Sequence, residues 1–272
     1  MDNTIDGLGK TIPAIVTPWN YTGLDRQGLE NVIRNISALP AFVAMGLTGE
    51  GQNLDLRTKM DIVKLLGART AEKPYTIVAV LDRDIINAAA TALFALEHDM
   101  HLQMFAPEMI EDRNPDSAVH YIINKTYGGA KFIIYENPQL RARPNDAPLG
   151  IEFYQRWARH ENIAGAKYSG KDPAFFRELC SLRNSKFKVY LGNDSLIRDT
   201  IHQGVEADGV ISGLASYKPQ LFIDYQRDRK EAVLREIEEF GRTLPSNGDV
   251  VQGLKNGFYA QGTINSPDKV TR

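Results

Sequence analysis

The sequence places a lysine at the end of an apolar run, in Ala164-Gly165-Ala166-Lys167. Lysine is almost never fully buried without a partner, so its position asks for a reason. Burial disfavours the ammonium form and prepares an amine that can attack a carbonyl carbon and form a Schiff base. The same position suits a lysine whose stem lies along a rim with its head in water. Tyr135 closes a second run and is followed by Glu136-Asn137-Pro138. A phenol at such a point can move a proton or orient a hydroxyl; it can equally be an aromatic plug. The segment Gly46-Leu47-Thr48-Gly49-Glu50-Gly51 has three glycines in six residues. Glycine lets backbone approach a ligand closely, and successive N–H groups in such a turn make a nest for a small carboxylate. A tight strand-to-helix turn would have the same composition. The phosphate-loop ending GK[ST] and the pattern GxGxxG are both missing. Gly192-Asn193-Asp194 and Gly209-Val210-Ile211-Ser212-Gly213 bring further glycines to the ends of runs, and Asp194 suits a helix cap or a ligand contact.

These residues need strands to present them. Eight short apolar runs are present: Ile12 to Val16, Phe42 to Met45, Thr76 to Leu81, Leu102 to Phe105, Phe132 to Tyr135, Ile163 to Lys167, Val189 to Leu191 and Gly209 to Ile211. Most are unbroken rather than alternating, as in parallel strands buried on both faces. Helical spacing fills the intervals at Asp25 to Ala38, from Asp55 to Leu66, Asp84 to His98, Pro115 to Thr126, Leu149 to Arg159, Asp172 to Arg183 and Asp194 to Gln203. Asp172-Pro173 is a cap followed by a proline at the first helical position. The pattern predicts an α/β fold, a (β/α)8 TIM barrel, whose chemistry gathers at the C-terminal ends of the strands. Pro219 to Phe240 predicts one or two more helices. The expected division is a barrel over 1–217 and a C-terminal helical region over 218–272. Residues 245–249 read as a loop, and the polar tail from Gly262 reads as a disordered end.

Composition agrees with one barrel. The 272 residues are 43% apolar and 24% charged, and such barrels typically take about 250 residues. Lys and Arg number 32 against 34 Asp and Glu, a net charge of −2, so nothing makes a basic footprint for nucleic acid. Cys180 is the single cysteine. It excludes an intrachain disulfide and a CxxC motif, and reads as a buried structural thiol. The acidic N-terminus lacks the apolar core of a signal peptide, and no run of 18 apolar residues predicts a membrane span. The expectation is a cytoplasmic protein. His98, His101, His120, His160 and His202 show no HExxH spacing, and no metal or other cofactor is expected.

Five motifs in order, Ile15-Val16-Thr17-Pro18, Gly46-Leu47-Thr48-Gly49-Glu50, Tyr135-Glu136-Asn137-Pro138, Gly165-Ala166-Lys167 and Gly209-Val210-Ile211-Ser212, resemble the signature of the dihydrodipicolinate synthase/N-acetylneuraminate lyase family of pyruvate-type, class I aldolases. The likeness runs from about Thr11 to Tyr217. It implies that Lys167 forms the imine with C2 of a 2-oxo acid such as pyruvate. It implies that Thr48, with the N–H groups of Leu47 and Thr48, holds the carboxylate. By the same likeness Tyr135 shuttles the proton and the Ile211 carbonyl lines the pocket. Gly192 and Asp194 match positions that meet the distal part of the substrate in the lyase branch. The imine takes the place of a metal Lewis acid, and the family habit is a homo-oligomer, a dimer or tetramer.

The departures from the pattern are informative. Leu47 stands where the family usually has Ser or Thr, and Pro107-Glu108-Met109 stands where the synthase branch has Pro-Tyr-Tyr. Two members of that branch's proton relay are therefore replaced. The synthase branch holds its second substrate's carboxylate with an arginine shortly after the tyrosine motif; counting puts Leu140 there, with Arg141 adjacent and Arg143 near. Leu47 and Met109 make the expected pocket apolar and suit an apolar acceptor such as an aromatic aldehyde. Glu108 suits a local acid or, the preferred reading, a solvated loop charge. The expected activity is cleavage or formation of a C–C bond between a 2-oxo acid and an aldehyde. The alternatives are dehydration of a 2-keto-3-deoxy sugar acid, a 4-hydroxy-tetrahydrodipicolinate synthase-like reaction, and a non-catalytic binding protein on the same scaffold.

Overall fold

All eight apolar runs become parallel strands: β1 (Thr11–Pro13), β2 (Ala41–Ala44), β3 (Tyr75–Ala79), β4 (Leu102–Phe105), β5 (Lys131–Glu136), β6 (Ile163–Tyr168), β7 (Lys188–Leu191) and β8 (Gly209–Ser212). The computed structural model describes residues 7–69, 74–143, 147–244 and 249–270. From β2 to β8 each strand pairs with the next, and β1 pairs with β8. The sheet closes through a bridge between Ala14 and Val43, with the Ile15 N–H donating to the Val43 carbonyl at 2.9 Å. This is the TIM barrel that the runs predict.

The unbroken apolar runs follow from burial on both faces. Inward-facing Ile12, Val43, Ile77, Met104, Ile133 and Tyr190 belong to one core inside the barrel. Outward-facing Phe42, Val78, Phe105, Ile134, Val189 and Val210 belong to a second, larger core beneath the helices. Alternation along each strand thus feeds two cores rather than a core and a solvent face.

The outer layer holds α1 (Arg26–Asn35), α2 (Leu56–Gly67), α3 (Ile85–Glu97), α4 (Pro115–Lys125), α5 (Ile151–Trp157) and α6 (Pro173–Cys180). Asp25, Asp55, Asp84, Asn114 and Asp172 each accept a backbone N–H from the first turn of the helix they precede, and such caps contribute about 1 kcal/mol each. Cys180 is buried, as expected, and burial pushes its thiol up to about 12. Between β7 and β8 the expected helix is not formed. Two single 3₁₀ turns, Asp194–Leu196 and Ile201–Gln203, take its place. The capping side chain there is Asn193, which accepts from the Ser195 N–H at 3.2 Å, and Asp194 turns toward Ser212 instead.

After β8 come α7 (Leu214–Tyr217), α8 (Pro219–Asp228), α9 (Glu231–Thr243) and α10 (Val250–Ala260). The expected 245–249 loop lies outside the described residues except for Asp249, which caps α10. The tail is a correction to the sequence reading. Residues 262–270 are tied down: Asn265 donates from its backbone and side chain to Asp25, both at 3.0 Å, and Ile264 and Val270 join the outer core. Its polar atoms serve as hydrogen-bonding groups against the barrel. Among the described residues no helix is long and apolar enough to cross a membrane.

Lys59 of α2 is buried, and its Nζ donates to the Leu81 carbonyl at 2.7 Å and to Asp82 at 2.6 Å. This joins α2 to the segment just after β3. Breaking a buried pair leaves a desolvated charge behind, so Lys59→Met is expected to cost about 3 kcal/mol of stability in urea unfolding.

Candidate active site

Adjacent strands set the centre of the site. Tyr135 of β5 and Lys167 of β6 are partners in the register. The register shifts once between Phe132 and Ile133: Phe132 pairs with Ile163, whereas Ile133 pairs with Gly165. Ala164 is the extra residue, and the bulge sets the phase of everything after it. Ala166 and Tyr168 consequently face the outer core, and Lys167 lies between them on the inward face. Lys167 is 4% exposed and its Nζ lies 4.2 Å from the centroid of the Tyr135 ring. The ring face stabilises an ammonium held there. Asn137 Nδ2 donates to the Tyr135 hydroxyl at 2.8 Å. The phenol oxygen thus accepts one bond and keeps its own proton for another partner.

Gly192, just beyond β7, packs against this lysine. A Cβ at Gly192 would lie 2.5 Å from Lys167 Cε and would strike Ser169 Oγ. Only glycine leaves the lysine stem its course. Ser169 Oγ is buried and has no hydrogen-bond partner among the described residues.

The glycine-rich segment after β2 folds into the tight turn that its composition predicts. Its flanks, Met45 and Glu50, are left-handed with φ of 56° and 54°, a conformation that costs non-glycine residues about 1 kcal/mol or more each. The Glu50 N–H donates to the Leu47 carbonyl at 2.9 Å and the Gly51 N–H to Gly46 at 3.1 Å, while Thr17 Oγ1 donates to the Gly49 carbonyl at 2.5 Å. The N–H groups of Leu47 and Thr48 donate to no group among the described residues. Two amides and the Thr48 hydroxyl are therefore free for an anion. Thr48 approaches β8: a Cβ on Gly213 would lie 3.0 Å from Thr48 Oγ1. Ile211 is buried in the inner core, and Leu47 packs against that core from the partly open side.

Beside Gly213 the ends of β7 and β8 are polar. Ser212 Oγ donates to Asp194 Oδ2 at 2.7 Å. Burial pushes the Asp194 carboxyl up to about 6, against the Ser212 hydrogen bond and the nearby Lys167 charge, which both lower it.

Beside β4 and β5, Arg141 is held by two carboxylates, with Nε 3.1 Å from Glu108 and a terminal nitrogen 3.4 Å from Glu136. Glu136 also accepts from the Tyr154 hydroxyl at 2.9 Å. Burial raises the Glu136 carboxyl, while Tyr154 and Arg141 oppose the rise. Glu108 is thus a buried ion-pair partner, with a side chain only 7% exposed, and not the solvated charge that its loop position predicts. Its neighbour Met109 and the residue Leu140 turn the other way, into the inner core with Tyr135.

Lys167, Tyr135, Gly192, Thr48, Leu47 and Ile211 all lie at the C-terminal end of the barrel or on the turn that follows a strand there. Asn137 and Ser212 lie in the sequence motifs and Arg141 beside the position counted for an arginine, but the sequence assigns no role to them or to Ser169. Ser169 and Ser212 sit two and one residues beyond singled-out positions, so the position rule would have reached them. Nothing local marks the Arg141 clamp, whose partners come from the turn after β4 and from the last residue of β5. No group of three or more His, Cys, Asp or Glu residues able to hold a metal occurs among the described residues.

No protein-family model matches the chain. The 4-hydroxy-tetrahydrodipicolinate synthase of Methanococcus aeolicus is 26% identical over 245 residues, which cover 84% of this chain and 77% of that protein. Among solved structures, the dihydrodipicolinate synthase of Bacteroides thetaiotaomicron matches with a TM-score of 0.82 at 20% identity, covering 98% of this chain and 93% of that one. The Ruminococcus gnavus sialic acid aldolase matches with a TM-score of 0.82 at 14% identity, over 97% and 90%.

The Asp194 carboxyl generates a pH prediction. A folded-state pKa above the unfolded value means that the native state holds its proton longer, so this group costs stability as pH rises from about 4 to about 6. Asp194→Asn removes that cost. Its unfolding free energy relative to the parent is expected to rise between pH 4 and pH 7 by about 2 kcal/mol, read by urea unfolding at both values.

Proposed function

We propose that this chain, a member of the dihydrodipicolinate synthase/N-acetylneuraminate lyase family, is a class I lyase that joins or splits a 2-oxo acid and an aldehyde through an imine on Lys167. One observation carries the assignment of the lysine. Three lysines are buried among the described residues, Lys59, Lys167 and Lys255. Lys59 pairs with Asp82 and Lys255 with Glu50, whereas Lys167 is in no ion pair and rests on the Tyr135 ring. A buried amine held in no ion pair, with the Asp194 carboxyl near it but not bonded to it, is suited to covalent catalysis.

The steps follow from the placement. The carboxylate of the 2-oxo acid sits on the Leu47 and Thr48 amides and the Thr48 hydroxyl. Lys167 Nζ attacks C2, and the carbinolamine loses water to give a protonated imine. Tyr135 Oη gives its proton to the hydroxyl that leaves the carbinolamine as water. As the phenolate it takes, in the cleavage direction, the proton of the hydroxyl on the carbon beyond the scissile bond, a proton it then returns to the enamine carbon. That C–C bond breaks, its electron pair enters the imine to give an enamine, and the aldehyde departs. The enamine carbon is then protonated and water releases the 2-oxo acid. Run backward, the steps join the two. No metal or organic cofactor has a part, because the protonated imine is the electron sink.

The acceptor in this reading carries no charge. Leu47, Met109 and Leu140 give its pocket an apolar edge, and Arg141 is already engaged by Glu108 and Glu136. An aromatic aldehyde fits such an edge, with its new hydroxyl toward Tyr135. The reading also includes a cytoplasmic homo-oligomer, a dimer or tetramer, in keeping with the family.

Incubation with pyruvate and borohydride is expected to add the mass of a reduced pyruvate imine at Lys167, located by peptide mass spectrometry. Lys167→Ala abolishes the adduct in a protein of unchanged circular dichroism; an adduct surviving that change would overturn the assignment. Tyr135→Phe is expected to keep the adduct and lower kcat with an aldehyde acceptor about 10²–10⁴-fold, the usual range for loss of a general acid–base group.

A further inference from the structure

The buried pair Glu50–Lys255 has no part in the reaction above, yet it joins the carboxylate-holding turn to the far end of the chain. Lys255 of α10 is fully buried and pairs with Glu50, which is 3% exposed and lies two residues beyond Thr48. Lys255 Nζ also donates to the Asp268 carbonyl at 2.7 Å, and Glu50 Oε2 accepts from the Val270 N–H at 3.0 Å. One carboxylate thus receives both the helix and the tail that follows it. The tail is anchored elsewhere as well. Gln252 Nε2 donates to the Pro267 carbonyl at 3.0 Å, and Asn31 Nδ2 to Thr263 at 3.0 Å. Asn265 binds Asp25, the residue that caps α1.

A second line of contact reaches Thr48 directly. A Cβ on Gly213 would lie 3.1 Å from Thr48 Cγ2 and 3.3 Å from Leu254 Cδ1. Gly213 therefore packs against both Thr48 and the residue before Lys255. Glu50 itself is left-handed, a conformation that persists only where its surroundings over-determine it. Its backbone is held by the Leu47 carbonyl and the Asn53 N–H, and its side chain by Lys255 and Val270.

We propose that α10 and the tail through Val270 form a strap that holds the Gly46–Gly51 turn in its anion-binding shape, with Lys255 as a positioning residue for the 2-oxo acid. Lys255 touches no reacting atom; it acts through Glu50. The inference rests on the reading of that turn as the carboxylate holder. Loosening the strap weakens retention of the 2-oxo acid but leaves the Lys167–Tyr135 pair, which stands on β5 and β6, as it was.

The test uses the full chain and reads borohydride trapping of pyruvate over a range of pyruvate concentrations, so it needs no acceptor. Lys255→Met and, separately, Val270→Pro, which removes the N–H donated to Glu50, are compared with the parent and with Lys255→Arg. The strap requires the half-saturating pyruvate concentration to rise at least tenfold in Lys255→Met and Val270→Pro. It also requires the maximal trapping rate to stay within about threefold, and Lys255→Arg to restore the parent value within threefold. Mere destabilisation lowers the trapped fraction at saturation and leaves half-saturation unmoved; that result in folded protein overturns the proposal. Half-saturation unchanged with full trapping overturns it too. Should Lys255→Met not fold, Val270→Pro decides by the same criterion. A parent chain that traps no pyruvate at any concentration overturns the lyase reading, and this proposal with it.

Discussion

The side-by-side register of β5 and β6 is the constraint on which the site depends. A strand has a side-chain period of two, so one residue more or fewer exchanges its faces. The bulge at Ala164 makes that exchange at the point that brings Lys167 inward beside Tyr135. Without it, Ala166 would occupy the inward place and the lysine would press into the apolar layer beneath α5 and α6. The backbone ladder thus decides whether the amine and the phenol meet. The glycine at 192 then leaves the lysine stem room to stand between its neighbours.

Buried charge is distributed with the same economy. Among the described residues, the buried or nearly buried clusters above the barrel include Lys59–Asp82, Lys255–Glu50 and Glu108–Arg141–Glu136. Each balances desolvation with an opposite charge and further hydrogen bonds, which is what a low-dielectric setting demands. Each also fixes a loop at the mouth of the barrel. Against that background Lys167, resting on an aromatic face with only the more distant Asp194 carboxyl for electrostatic company, is the exception. Residues that break a local rule without local compensation are expected at functional places.

The barrel was legible in the sequence because its signal is redundant. Eight apolar runs and their intervening caps all point to one topology, and the strand-end rule then led to Lys167, Tyr135 and the turn at Leu47 and Thr48. What failed to be legible is non-local. Asp194 to Gln203 has helical spacing, yet Asp194 is drawn to Ser212 on the next strand and the segment forms two short turns. Glu108 looked solvated because its salt partner, Arg141, lies 33 residues on. The tail looked disordered because its polar residues have partners in α1 and in the turn after β2, more than 200 residues away. Composition reports how much polar surface a segment has; only the closed fold reports where that surface is spent.

The seam between β1 and β2 has a consequence for how the molecule comes into being. β1 pairs with β8 along its length, but it meets β2 through a single bridge, with Thr17 and Gly49 hydrogen-bonded just above it. The first strand made must therefore wait for the last before it has a full neighbour. Tyr135 and Lys167 can meet as soon as β6 is laid on β5, but Thr48 finds its seat beside Gly213 only when β8 arrives. The Lys167–Tyr135 pairing needs only β5 and β6, whereas the packing of Thr48 against Gly213 needs both ends of the barrel. In the proposed reading, retention of the 2-oxo acid would therefore depend on closure of the ring, whereas the Lys167–Tyr135 pairing would not.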